Sequence, residues 1–426
     1  MNTELIQTLL TDFHEKLKTF HLLIERDTQF PEISNKILVA IGMRRTGKTH
    51  FVFQHIHSLI KNHVPLNHIL YINFEDDRIF PLTEKKLGEL VDSFYTLFPD
   101  NHNQLCYLFL DEIQTIENWA VTIRRLFDTK KVKIFLSGSS SRLLSSEIAT
   151  SLRGRSLSTE IWPFNFSEFL IAKKIKKIEK PYGKIKMDSF RRHFLDYLNQ
   201  GGFPEVLDYD STHRTDVLQE YVNVVILKDI IERHDITNIQ LIRYLIKSIL
   251  KNAGCAISIN KMYHDLKSQG FSVGKMTLHE YLGYIEDAYL AFAIPLYSES
   301  IRKTNTNPKK IYAIDTGLVN AYNLQINRNK GHLFENLIFL DLKRQRHEIY
   351  YYLTENRHEV DFVTRSRDGQ MHLYQVCWKI TDEETVAREM RALHEAENEL
   401  GIKGKLITPE SYLTDFLSNS PLSSHP

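Results

Sequence analysis

Cysteine is scarce in this 426-residue chain: Cys106, Cys255 and Cys377 are the whole complement. They are odd in number, far apart and without CxxC spacing, which excludes a disulfide framework and a zinc site and fits a reducing compartment. Long apolar runs are also missing. The longest, Ile37–Ile41 and Tyr289–Leu296, fall far short of the roughly 20 residues of a membrane-spanning helix. The opening Met1-Asn2-Thr3-Glu4 has no basic stretch followed by an apolar one, so no secretory signal is expected. These absences together predict a cytoplasmic protein with no membrane partner. Net charge is nearly absent too, at +1 from 54 basic and 53 acidic side chains, so any nucleic-acid site must be a local patch rather than a property of the whole molecule. No GxGxxG pattern occurs where a strand runs into a helix, which excludes a dinucleotide-binding Rossmann domain. Internal repeats and low-complexity segments are lacking.

What is present reads as soluble globular protein, 42% apolar and 25% charged, long enough for two or three domains. Ile37–Ile41 is a continuous apolar run ending at Gly42, as expected of a buried parallel strand. Helical periodicity follows over Thr49–Lys61. Further strands are expected at His68–Phe74, Leu105–Leu110, Val132–Leu136 and Ser156–Ile161. Strands alternating with helical stretches predict an α/β fold with a doubly wound parallel sheet. The lysine-rich stretch 171–187 marks a boundary or insertion, and helices follow to 234, interrupted by Gly201-Gly202-Phe203-Pro204. Residues 240–300 carry the spacing of a winged helix-turn-helix. Its helices are Gln240–Lys251, Lys261–Ser268 and Met276–Ala288, its wing strands Ala291–Tyr297 and Lys310–Ile314, and its wing Arg302–Lys310, with Asn305, Asn307 and Pro308 at the tip. A final α/β unit follows. The expected domains are an ATPase domain over 1–170, a helical segment and linker over 171–235, a winged helix over 236–325, and a C-terminal unit over 326–426.

Gly42-Met43-Arg44-Arg45-Thr46-Gly47-Lys48-Thr49, followed by His50, is a GxxxxGKT loop set between a strand and a helix. The two glycines let backbone amides wrap around phosphates, and the helix N-terminus adds partial positive charge. Lys48 is expected to reach the β- and γ-phosphates and Thr49 to ligate magnesium. Arg44 and Arg45 read as surface or interface residues. Asp111 ends an apolar strand and is expected to hold magnesium. Glu112, one residue on, is placed to orient or deprotonate the attacking water. The implied ligands are ATP and Mg²⁺. Ser137, with Ser139 second, is a candidate contact to the γ-phosphate or the water, from a strand lying between the other two; equally, Ser137-Gly138-Ser139-Ser140 caps a helix. Arg155, or Arg153, is a candidate for a neighbouring γ-phosphate in trans or for a sensor in cis, with a structural salt bridge as the alternative.

Taken in order, Gly42–Thr49, Tyr107–Gln114, Ser137–Ser140, Leu152-Arg153-Gly154-Arg155 and Gly201–Pro204 resemble a family of prokaryotic AAA-superfamily ATPases with a winged-helix segment and a C-terminal domain of unknown function. The resemblance implies an ASCE-type P-loop core, magnesium-dependent ATP hydrolysis and self-association into a homo-oligomer. It also implies a C-terminal domain similar to PD-(D/E)XK nucleases, of restriction-endonuclease-like α/β fold. There Glu335 on a helix, Asp361 on a strand and Gln375 on the next would gather around a metal. Cys377 stands where that pattern has lysine, and Lys379, two residues on, is the substitute. An inactive fold is the favoured expectation. The winged segment is basic at Lys275, His279, Arg302, Lys303, Lys309 and Lys310, but Glu280, Glu286 and Asp287 on its third helix would repel phosphates. The leading expectation is ATP hydrolysis driving or gating an oligomeric machine in a DNA-related process. A nucleotide-gated scaffold for a protein partner and an ATP-gated nuclease are the alternatives.

Overall fold

A computed structural model describes residues 2–20, 24–81, 83–138, 152, 154–178, 183–323, 330–379 and 382–418. The chain forms two compact units, Met1–Trp162 and Pro163–Pro426.

The first unit is built on a five-stranded parallel sheet in the order β2-β3-β4-β1-β5. Its strands are β1 (Ile37–Ile41), β2 (Ile69–Asn73), β3 (Cys106–Asp111), β4 (Val132–Gly138) and β5 (Ser156–Glu160). β4 lies between β1 and β3, as the ASCE-type core requires. Every residue of β1 is buried, because helices cover both faces of a parallel sheet. The helices are α1 (Asn2–Thr19), α2 (Lys48–Lys61), α3 (Glu84–Leu97) and α4 (Trp119–Thr129). One core runs through Phe13, Phe30, Phe51, Phe53, Tyr71, Phe109 and Phe135. Phe109 and Phe135 stack across the β3–β4 pair at 4.5 Å. This is the P-loop NTPase fold.

The second unit begins at Pro163. Helix Phe166–Ala172 belongs to it, with Phe166 and Phe190 rings 5.7 Å apart. The lysine-rich stretch is in part tied down: Lys173 pairs with Asp208 at 2.9 Å and Lys177 lies 4.4 Å over the Phe416 ring. Gly201-Gly202-Phe203-Pro204 proves to be a packing junction. Asp315 accepts from the Gly202 amide at 2.6 Å and from the Leu318 amide at 3.1 Å, capping helix Thr316–Tyr322. A Cβ on Gly202 would lie 2.1 Å from the Phe164 carbonyl oxygen, so only glycine fits.

Helices Ile239–Lys251, Ile259–Ser268 and Lys275–Asp287 accompany a three-stranded antiparallel sheet in the order β6-β8-β7, formed by β6 (Ala256–Ile257), β7 (Ala291–Ile294) and β8 (Lys309–Ala313). The first half of the expected wing, with Asn305 of its tip, is instead helix Ile301–Thr306. Ser300 caps it by accepting from the Lys303 amide, a role serine favours. The last part is helix Lys330–Arg344 against a four-stranded sheet ordered β12-β11-β10-β9. Its strands are β9 (Glu348–Leu353), β10 (Glu359–Arg365), β11 (Met371–Val376) and β12 (Gly404–Ile407), and helix Glu383–Leu400 also packs on it. Among the described residues, no helix is long and apolar enough to cross a membrane.

Candidate nucleotide site

The loop after β1 owes its shape to backbone torsions that few residues adopt. Gly42 has φ +151° and Gly47 φ +93°. A Cβ on Gly42 would sit 2.3 Å from the Ile161 carbonyl oxygen, so the residue that follows β5 packs against bare backbone there. Arg45 also adopts positive φ, at 68°. Inside the loop, the buried Thr46 hydroxyl donates to the Met43 carbonyl at 3.0 Å. Lys48 bends back over the loop, and its ammonium donates to the carbonyls of Gly42 at 3.2 Å and Met43 at 3.1 Å.

Asp111 is the hub of the site. Its Oδ2 accepts from the Thr49 hydroxyl at 2.9 Å and from the Tyr71 hydroxyl at 2.9 Å, while Oδ1 accepts from Ser137. The carboxylate is 2% exposed. Burial and the neighbouring Asp111 hold the Tyr71 phenol well above its usual pKa. Thr49 and Asp111 offer oxygen alone, which suits a hard cation that keeps several of its waters. Glu112 follows in the left-handed region at φ 54°, which turns its side chain away from the strand direction. Its amide donates to Ser137 Oγ at 3.4 Å, and its carboxylate accepts from Gln114. Burial pushes the Glu112 carboxyl pKa up, against the pull of Lys48. A base with a raised pKa takes a proton from water more readily.

The structure brings together Lys48, Thr49, Asp111, Glu112 and Ser137. The Ser137 hydroxyl donates to Asp111 and steadies that carboxylate. Ser139 and Arg153 lie outside the described residues. Arg155 is not brought to the site. Its carbonyl accepts from the Ile37 amide at 2.7 Å, which puts it beside the start of β1, while the loop follows the end. Five residues of strand separate them, about 16 Å, so a sensor role in the same chain fails. Its guanidinium meets Asp128 at 3.3 Å. Arg44 pairs with Glu75 at 3.5 Å, and the His50 ring lies 4.8 Å from that of Phe20.

Two contributors were not foreseen. Tyr71 reads as core in the sequence. Arg26, 6% exposed, braces the loop from behind: Nη1 donates to the Thr46 carbonyl at 3.0 Å and Nη2 to the Trp162 carbonyl at 2.5 Å. It lies in a segment without periodicity, where no pattern singles it out.

In the second unit Glu335, Asp361 and Gln375 do meet. The hairpin at Gly369 (φ +87°) pairs Phe362 with Tyr374. Gln375 Oε1 accepts from the Asp361 amide at 3.2 Å and Asp361 Oδ2 from the Val376 amide at 2.9 Å. Lys310 lies among the carboxylates of this cluster. That lysine, 2% exposed, donates to Glu335 at 2.6 Å, Glu359 at 2.9 Å and Asp361 at 3.0 Å. Among the described residues, no group of three or more His, Cys, Asp or Glu side chains is arranged to hold a metal ion. Burial and Asp361 push Glu335 up to about 7, against the pull of Lys310. Lys379 is exposed and, with Glu335, Glu359, Asp361 and Gln375, lines a cavity of about 1000 Å³. Burial raises the Cys377 thiol pKa, which leaves it an inert thiol. On helix Lys275–Asp287, Glu286 does not oppose phosphates as expected, because it turns inward to accept from the Ala293 amide at 2.6 Å.

A family profile described as an AAA domain matches residues 34–170. Profiles for domains of unknown function match 191–330 (DUF8612) and 330–416 (DUF4143). An uncharacterized protein of Methanocaldococcus jannaschii is 37% identical over 394 residues, covering 91% of this chain and 85% of its own. One of Haemophilus influenzae is 27% identical, covering 91% of each. Among solved structures, a Walker-type ATPase of Pyrococcus abyssi is similar with a TM-score of 0.45 at 14% identity, covering 71% of this chain and 99% of its own.

Proposed function

The chain belongs to the same family as its uncharacterized Methanocaldococcus jannaschii relative and carries an AAA domain over residues 34–170, and from that premise we propose that it hydrolyses ATP and uses the nucleotide state to gate a homo-oligomeric assembly working on DNA. The observation that carries the reading is the Thr49–Asp111 contact at 2.9 Å, with Lys48 on one side and Glu112 on the other. The loop amides and Lys48 bind the β- and γ-phosphates. Thr49 and Asp111 would hold magnesium, which when bound would neutralise charge on the phosphate oxygens. Ser137 and Tyr71 fix the Asp111 carboxylate. Glu112 accepts the proton of the attacking water, and Gln114 orients Glu112. Lys275, His279, Arg302 and Lys303 are exposed or near the surface and supply the cations for a phosphate backbone. Glu286, turned away, does not oppose them. Lys310 is not among them, being buried.

Phosphate release, measured with and without DNA, tests this reading. The expected result is magnesium-dependent turnover stimulated by DNA and lost in Glu112→Gln, which still binds ATP. Undiminished turnover in Glu112→Gln removes that residue from the chemistry. Hydrolysis indifferent to both single- and double-stranded DNA favours the second reading, a nucleotide-gated scaffold for a protein partner. The net charge of +1 and the Lys310-filled carboxylate cluster speak for that alternative.

A further inference from the structure

Three carboxylates lining the C-terminal cavity have the chemistry of a cation site. Glu335, Glu359 and Asp361 come from a helix and a strand and aim oxygens at one point. Glu335 and Asp361 are buried and Glu359 is half-exposed at the rim, and carboxylates gathered this closely repel each other unless a positive charge lies among them. That charge is Lys310, whose ammonium lies 2.6 to 3.0 Å from one oxygen of each. It comes from outside the four-stranded sheet, on β8.

Nothing about β8 lets the lysine leave. Lys310 pairs with Ala256 on one side and Ile294 on the other, in the middle of its sheet. Two residues on, the Tyr312 hydroxyl donates to Glu335 at 2.6 Å. Asn336, next to Glu335, exchanges two hydrogen bonds with the Ala313 backbone, at 2.8 and 3.0 Å. The strand is therefore clamped to the helix that carries Glu335, and the ammonium is held where it is.

We infer that Glu335, Glu359 and Asp361 form a cation site whose resident cation is the Lys310 ammonium, so that the C-terminal domain takes no divalent metal unless Lys310 is removed. The three oxygens left by its removal suit a hard divalent ion of the magnesium or manganese type. The inference is independent of the ATPase reading, since it involves no residue of the first unit.

The test is the full chain titrated with Mn²⁺, without nucleotide, followed by thermal unfolding and by electron paramagnetic resonance of free Mn²⁺. Wild type and Lys310→Ala are compared, so any metal taken up elsewhere is common to both. Lys310→Ala should melt several degrees lower in EDTA, regain most of that loss in millimolar Mn²⁺, and bind one more ion than wild type. Adding Asp361→Asn to it should abolish the extra ion. No extra ion in Lys310→Ala overturns the inference, as does Mn²⁺ binding by wild type that Asp361→Asn removes. Should Lys310→Ala fail to fold even with Mn²⁺, Asp361→Asn alone decides. Its loss of melting temperature should be the same in EDTA and in Mn²⁺. A loss seen only in Mn²⁺ means that a metal occupies the wild-type site, and overturns the inference.

Discussion

A single carboxylate with three hydroxyl donors has little freedom left. Asp111 receives Thr49 and Tyr71 on one oxygen and Ser137 on the other, so the group proposed to hold magnesium is aimed before any ligand arrives. A hydrogen bond to a charged partner is worth about 1.5–3 kcal/mol, and each 1.4 kcal/mol is a factor of about ten in affinity. Tyr71→Phe keeps the ring that stacks on Phe13 at 5.7 Å and removes only the donor. Its affinity for magnesium-ATP should fall about tenfold, with the fold intact, in titrations of a fluorescent ATP analogue against magnesium. An unchanged affinity would mean that Tyr71 only fills space. Lys48, Thr49, Asp111 and Glu112 were legible because their chemistry demands fixed residue types at fixed strand and helix ends. Tyr71 and Arg26 were not. A tyrosine within the apolar run His68–Phe74 reads as core, and only the register of β2 on β3, with Asn73 beside Asp111, shows where its hydroxyl lands. Lys310 was misread for the same reason. Its spacing suited a wing, while its burial depends on a helix that starts 20 residues later.

Among the elements, the junction at Gly201–Pro204 has the clearest energetic signature. Asp315 is buried and bound by the amides of Gly202 and Leu318, and burial pushes its pKa from the ordinary 3.8 up to about 6. The folded chain therefore binds this proton more tightly than the unfolded chain. Its contribution to stability is fully present below about pH 4 and declines as pH rises to about 6, by up to about 3 kcal/mol. Asp315→Asn cannot titrate, so that decline should vanish from the urea midpoint measured between pH 4 and 7. At neutral pH the variant still loses an acceptor for a buried amide, a cost of about 1–3 kcal/mol. A pH profile parallel to wild type would show that another group carries the dependence. The parallel strands were legible as apolar runs ending in Gly42 and Asp111, since a strand covered on both faces has no polar side to confuse the pattern. The first half of the wing was not, because helix Ile301–Thr306 rests on a serine cap and one turn of backbone bonding, too short to establish a period.

For the whole molecule, the nucleotide is expected to act as a stabiliser. A ligand that binds only the folded state at a hundred times its Kd adds about 2.7 kcal/mol. Calorimetry of Glu112→Gln should show a gain of this size with magnesium-ATP, and Lys48→Ala should show none. A gain that survives in Lys48→Ala would move the nucleotide away from Gly42–Thr49. The sheet order β2-β3-β4-β1-β5 also constrains the order of events during synthesis. β1 is made early, yet its two neighbours come from far downstream: Leu38 pairs with Phe135, and Ile37 with Ser156. On the ribosome, the Gly42–Thr49 segment therefore emerges roughly a hundred residues before the strands that flank it, and its backbone has no fixed shape until both arrive. Chains in the act of being translated should not capture ATP until β5 has cleared the exit tunnel, which makes nucleotide affinity the last property this unit acquires and a timestamp for its completion.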